Sequence, residues 1–288
     1  MLSGILFALG ASVAWAVANV FIQRSGQRMG TVRAMFWSLA VGALAAGVCG
    51  LLLDSGARDF SARNLGWLGL CVALGLVANI GLFHAFATGR LTITVPVVTG
   101  WSLVSALVSI AFLGESVTVG QAIAAATVFV GLMIVAALSS RGADPAAGGR
   151  VHRLALMAAF VAALGFGVFM PILAMLGPSF GELTSSSLLF SGYVVVALPL
   201  AVLFRRSLAW PSPGDWPLVL VAGIAEVAGV TCLVLARQYA PMTAVGPLSS
   251  LSATFTVAYS WAVLRDRPAP AVMLGGIMVC GGVVALAL

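Results

Sequence analysis

TITVPVV at residues 92–98 and TAVGPLS at residues 243–249 lie 151 positions apart, and each sets a proline inside an apolar run. The same shift carries Thr92 onto Thr243 and Pro96 onto Pro247. It also carries Glu115 in FLGESVT onto Asp266 in VLRDRPA, Gly131 onto Gly282 and Trp15 onto Phe166. Identity between the halves is otherwise low, so the repeat is written in run lengths and punctuation more than in residues. The longest polar stretch, SSRGADPAAGGRVHR at 139–153, separates the copies. It predicts one repeat over 1–141, a linker over 142–151 and a second repeat over 152–288.

Composition fixes the solvent for both copies. Of 288 residues, 61% are hydrophobic and only 8% charged, with a mean hydropathy of +1.14. A water-facing surface needs about 25% charged residues, so most of this chain must face lipid or other helices. An apolar helix of about 20 residues spans the hydrocarbon core. Ten such runs are present, near 2–22, 32–53, 65–87, 92–113, 118–138, 154–175, 183–204, 216–236, 243–264 and 269–288. They lack period-two alternation and are too long for barrel strands, so the predicted class is all-α, each helix satisfying its own backbone in lipid. Five spans per copy is an odd number. The copies must therefore enter the membrane in opposite directions, the inverted-repeat plan of many secondary transporters.

Several other classes lose their equipment. Ala14-Trp15-Ala16 imitates a signal-peptide cleavage site, but no basic region precedes it and the apolar stretch is long enough to span. We expect it to be the first span. Cys49, Cys71, Cys232 and Cys280 have no paired spacing, so neither a disulfide framework nor a metal site is expected. The chain has no lysine, no HExxH, no GxSxG and no phosphate-binding Gly-rich loop. ATP hydrolysis, zinc chemistry and acyl transfer therefore lack obvious residues. We expect no cofactor, no metal and no enzyme activity. The net charge of +6 comes from 14 arginines scattered between apolar runs, a pattern that marks topology rather than a nucleic-acid surface.

These features resemble the drug/metabolite transporter superfamily, in its ten-helix EamA-type branch. The resemblance rests on Trp15 in SVAWAVANV, the prolines of the fourth and ninth spans, the acidic residue after each of those spans, and LGESVTVGQAIAAATVFVGLMIV at 113–135. In overall organisation the chain is most similar to YddG-type amino acid exporters. The resemblance implies a basket of spans 1, 3, 4, 6, 8 and 9 around a central cavity. It also implies that spans 5 and 10 lie at the periphery, where a homodimer would form. The function it implies is export of small organic metabolites, amino acids first, across the cell's inner membrane. Drugs, nucleotide sugars and import are alternatives within the same fold; a channel and a lipid-acting membrane enzyme are alternatives outside it.

Orientation is read from charge. Loops after odd-numbered spans hold Arg24, Arg28, Arg33, Arg90, Arg141, Arg150, Arg153, Arg205, Arg206, Arg265 and Arg267; the others hold only Arg58, Arg63 and Arg237. The positive-inside rule places the odd loops in the cytoplasm and both termini outside, opposite to what the resemblance implies.

Candidate substrate-binding residues are the polar and aromatic side chains within spans. Glu226 stands at the middle of VAGIAEVAGVT, residues 221–231. On insertion scales a central carboxylate costs about 2.5–3.5 kcal/mol, so it should face the bundle interior or water. It could receive a substrate amine or exchange a proton; alternatively it is a protonated structural glutamate bonded to a neighbouring helix. Its counterpart in the first repeat is Gly75, so the carboxylate breaks the repeat symmetry. Asn79, whose counterpart is Val230, could bind a carboxylate or hydroxyl, or bond between helices. His84 is a candidate proton carrier or an interfacial side chain. Ser12, Trp15, Asn19 and Gln23 share one face of the first span. Trp101 and Ser102 follow Pro96, while Ser252 and Tyr259 follow Pro247 in a Ser249, Ser252, Thr256, Tyr259 stripe. A proline can kink its helix and open a pocket, although small hydroxyl residues also allow close helix packing. Trp67, Trp210 and Trp216 sit at span ends as interface anchors. Glu115 and Asp266 precede the next span, where each carboxylate can cap the incoming helix. The expected partners are a small-molecule substrate and the lipid bilayer.

Overall fold

The computed structural model describes residues 2–54, 59–114, 118–120, 122–124, 126–127, 130–131, 134, 149–204, 207–263, 265 and 270–287. Glu115, Asp266 and residues 142–148 of the linker lie outside the described residues. Among the described residues the ordered elements are helices: α1 (Leu2–Met29), α2 (Thr31–Leu53), α3 (Ala62–Thr88), α4 (Leu91–Thr99), α5 (Trp101–Leu113), α6 (Gly149–Phe180), α7 (Glu182–Leu203), α8 (Trp216–Arg237), α9 (Met242–Ser249), α10 (Ser252–Ala262) and α11 (Pro270–Ala287). Seven helical stretches, α4 and α5 counted together, are long and apolar enough to cross a membrane. The rest of the 118–138 run is described too sparsely to form an element, though Gly131 within it faces Gly275 and Val279 of α11.

The side chains turned outward are those that lipid would solvate. Leu44, Leu51, Val77, Phe112, Val195 and Leu203 are all exposed, a surface that water would not tolerate over this area. At one end of the bundle Trp37, Trp210 and Trp216 pack edge to face, with ring centroids 4.7, 5.1 and 5.7 Å apart. Arg33 donates to the carbonyls of Ala209 and Trp210 there, at 2.7 and 2.5 Å. Indole rings anchoring a basic helix start fit the water–lipid boundary.

The duplication continues in the backbone. α1 passes into α2 through Gly30 alone, with φ 84°, and α6 passes into α7 through Gly181 alone, with φ 91°. These two glycines are also 151 residues apart. A side chain at such a φ crowds the backbone, so a one-residue hinge of this kind suits glycine. The prolines give the second match. Pro96 lies within α4, which ends at Thr99, and the chain resumes as α5 from Trp101. α9 and α10 are separated likewise at Ser250 and Leu251. Ser250 donates to the carbonyl of Thr99, its own repeat counterpart, at 3.5 Å, so the two kinks meet.

Pairing between helices follows the same plan. α1 lies antiparallel to α8, with Gly4 facing Tyr239, Gly10 facing Cys232 and Gly229 facing Trp15. α3 lies antiparallel to α6, with Gly81 facing Ala158 and Gly165 facing Ala78. α2 runs antiparallel to its counterpart α7, with Gly42 against Phe190 and Gly50 against Thr184. The C-terminal ends of α1 and α3 lie together, Gly26 against Ala87.

Candidate functional site

Where α1, α3, α4, α5, α6, α8 and α10 converge, they line a cavity of about 40 Å³. A single water needs about 10–15 Å³ of such space, so the cavity holds a few waters. A metabolite enters only if the surrounding helices part. Three repeat-related pairs line it: Trp15 with Phe166, Asn19 with Met170, and Trp101 with Ser252. Leu82, Phe86, Val95, Val98, Thr99 and Glu226 complete the wall.

The wall is aromatic on one side and acidic on another. Trp15 and Trp101 meet edge to face with centroids 5.7 Å apart. Trp15 reaches this position because residue 229 is glycine. A Cβ there would run into the indole ring, and ordinary packing would push α1 and α8 apart. Glu226 is 7% exposed and one turn from Gly229 on α8. Among the described residues no hydrogen bond or ion pair holds its carboxylate, so it remains available to whatever enters the cavity.

Most other polar groups of the wall are already committed. The Asn19 amide donates to Thr256 Oγ1 across the α1–α10 contact at 3.0 Å, and Thr256 donates to the Ser252 carbonyl at 2.7 Å. Thr99 Oγ1 lies 3.1 and 2.9 Å from the carbonyls of Val95 and Pro96, which accept from it. These hydroxyls answer backbone carbonyls near the kinks, where a proline has removed one N–H.

Five of the nine candidates therefore come together on one cavity: Trp15, Asn19, Trp101, Glu226 and Ser252. Four do not. Ser102 is fully buried and its hydroxyl donates to the Thr99 carbonyl at 3.1 Å. His84 is half-buried on α3, outside the cavity wall. Tyr259 lies on the other side of α1, where its hydroxyl accepts from Arg24 at 3.1 Å. Both residues line a separate groove between α1 and α10, next to the exposed Val13, Val17 and Phe255. Asn79 is buried on α3, outside the cavity wall, and donates to the Gly75 carbonyl at 2.8 Å.

That last position exposes a residue the polar-spacing argument passed over. Tyr193 of α7 is buried with its hydroxyl pressed against Gly75, the repeat counterpart of Glu226. Neither this hydroxyl nor Asn79 Oδ1 has a partner among the described residues. Glycine at 75 is the sequence signal, because a larger side chain would occupy the phenol's place. Met170 was also missed, although the 151-residue shift applied to Asn19 points straight to it.

One family model matches the chain twice, over residues 2–137 and 153–288. The chain belongs to the EamA-like transporter family. Its members are membrane transporters of the drug/metabolite superfamily, and this chain is a multi-pass membrane protein of that kind. A solved crystal structure shares the fold, with a TM-score of 0.72, 18% identity, and coverage of 99% of this chain and 98% of its own. No curated protein matches the sequence.

Proposed function

We propose that this EamA-like transporter is a carrier that exports small amine-bearing organic metabolites, amino acids among them, across the cell's inner membrane by alternating access. In this reading the chain is ten spans in two inverted five-span halves, 1–141 and 152–288, joined by the 142–151 linker, with both termini outside. Antiparallel packing of α3 on α6, together with the parallel ends of α1 and α3, supports the inversion, since α6 is the counterpart of α1.

The observation that carries the reading is a central cavity walled by repeat-related pairs, with an uncommitted carboxylate, Glu226, at its side. Two halves packed face to face around one site can rock so that the site opens to either side in turn. Counterflow of labelled solutes in proteoliposomes tests it. Saturable exchange within a panel of amino acids and amines is the expected result. Unsaturable, single-channel conductance, or no exchange for any member of the panel, refutes the carrier.

A further inference from the structure

An amino acid brings two charges into a site, and the cavity answers only one of them. Among the described lining residues none is arginine, lysine or histidine. Arg24, the basic residue of α1 nearest the site in sequence, lies on the opposite groove with Tyr259. Helix N-termini are the usual substitute for a cation, since broken membrane helices can aim free amides at an anion. Here each kink forms short turns of its own. Gly100 N donates to Val97 O at 3.1 Å and Leu103 N to Gly100 O at 3.1 Å; Leu251 N donates to Leu248 O at 3.3 Å and Ala253 N to Ser250 O at 3.0 Å. One Asn19 amide hydrogen and the Thr99 hydroxyl are spent as well. The side-chain donors left on the wall are neutral: the Ser252 hydroxyl, the indole N–H groups and the second Asn19 amide hydrogen. On the acceptor side stand the Glu226 carboxylate and the faces of Trp15 and Trp101.

We infer that the cavity is a site for an organic monocation with a flat apolar body, an aromatic or amphipathic amine lacking a carboxylate, in preference to the corresponding amino acid. The inference rests on the carrier reading and narrows its substrate. The ammonium pairs with Glu226, and its apolar body lies against Trp15, Trp101 and Phe166. Indole faces also attract cations directly. A substrate carboxylate would be buried without a counter-charge and beside another carboxylate, which is the costly arrangement for a charge in a low-dielectric site.

Three indole ligands that differ only in charge make the test: tryptamine, tryptophan and indole-3-propionate, titrated calorimetrically into the detergent-solubilised full chain. Tryptamine should bind at least tenfold more tightly than tryptophan, and indole-3-propionate should not bind. In Glu226→Gln the tryptamine-to-tryptophan ratio should fall towards one, a readout that general destabilisation does not imitate. Tryptophan binding as tightly as tryptamine, or no binding of any of the three, overturns the inference. So does an unchanged ratio in Glu226→Gln. Proteoliposome exchange separates the two levels. Saturable exchange of tryptophan without tryptamine refutes the amine class and leaves the carrier standing, whereas no saturable exchange across the whole panel refutes the carrier itself.

Discussion

Adding one methyl group to α8 tests how the cavity wall is built. At Gly229 an added Cβ falls inside contact distance of the Trp15 indole, and three ring atoms are involved. The indole cannot simply retreat, because Trp101 lies edge-on against it at 5.7 Å. Overpacking of this kind costs about 1–3 kcal/mol, while Gly→Ala within a helix returns up to about 1 kcal/mol of propensity. Gly10 on the facing helix is the control. A Cβ there meets only Cys232 Sγ at 3.5 Å, an ordinary contact, so Gly10→Ala keeps the propensity gain with no packing penalty. Gly229→Ala should therefore be less stable than Gly10→Ala by about 1–3 kcal/mol, and tryptamine binding should weaken only in Gly229→Ala. Reversible unfolding in mixed micelles, followed by circular dichroism, measures the first quantity and calorimetry the second. Equal stability of the two variants, or a greater loss at Gly10, would refute the assignment of Trp15 and Gly229 to one tightly packed wall.

Other consequences follow from single contacts. A double-mutant cycle on Asn19→Ala and Thr256→Ala should return a coupling of about 0.6 kcal/mol, and no more than about 1.7, the range for hydrogen bonds between membrane helices; zero coupling would exclude the α1–α10 bond. Gly30→Ala should destabilise by about 1–3 kcal/mol through its backbone alone, since φ is 84° and ψ 150° and nothing lies within 4 Å of the new Cβ. Asp215 accepts from Ser212 Oγ at 2.6 Å and pairs with Arg28 at 3.2 Å. The Ser212 hydrogen bond first, and the Arg28 charge after it, hold its carboxyl below the usual carboxylate range. A depressed folded-state value means that its contribution is present above about pH 4, the ordinary carboxylate pKa, and is lost as pH falls below that. The stability difference between wild type and Asp215→Asn should accordingly shrink on acidification. For orientation, a cytoplasm-dependent reporter should be active when fused after residue 146 and inactive at the C-terminus; the reverse pattern overturns the reading from arginine bias.

The all-helical membrane class and the duplication were legible because lipid demands long apolar runs, here punctuated by glycine, proline and arginine, whereas the breaks after Thr99 and Ser249 and the extension of α1 to Met29 were not. Glu226 was legible for the same reason, as one carboxylate amid aliphatic residues in the middle of a span. The direction in which each polar residue points was not. In water, apolar periodicity tells the buried face of a helix from the wet one. In a membrane both faces are apolar, so a stripe such as Ser249, Ser252, Thr256 and Tyr259 gives no bearing. Ser252 turns to the cavity, Ser249 bonds back to the Val245 carbonyl at 2.8 Å, and Tyr259 goes to the outer groove with Arg24.

By itself, the sequence determined a membrane bundle made twice over, with a single acidic residue at mid-span on one side of the repeat. Tertiary packing alone decided which side chains share the cavity with that acid. Close approaches at Gly229 and Gly75 set the rotation of α8 against α1 and of α3 against α7. Those rotations brought Trp15 in and placed the Tyr193 hydroxyl where a repeat-equivalent carboxylate would have been. The reason is physical: chain-local rules fix which runs become helices, whereas helix rotation in lipid is fixed only by contacts between residues far apart in sequence.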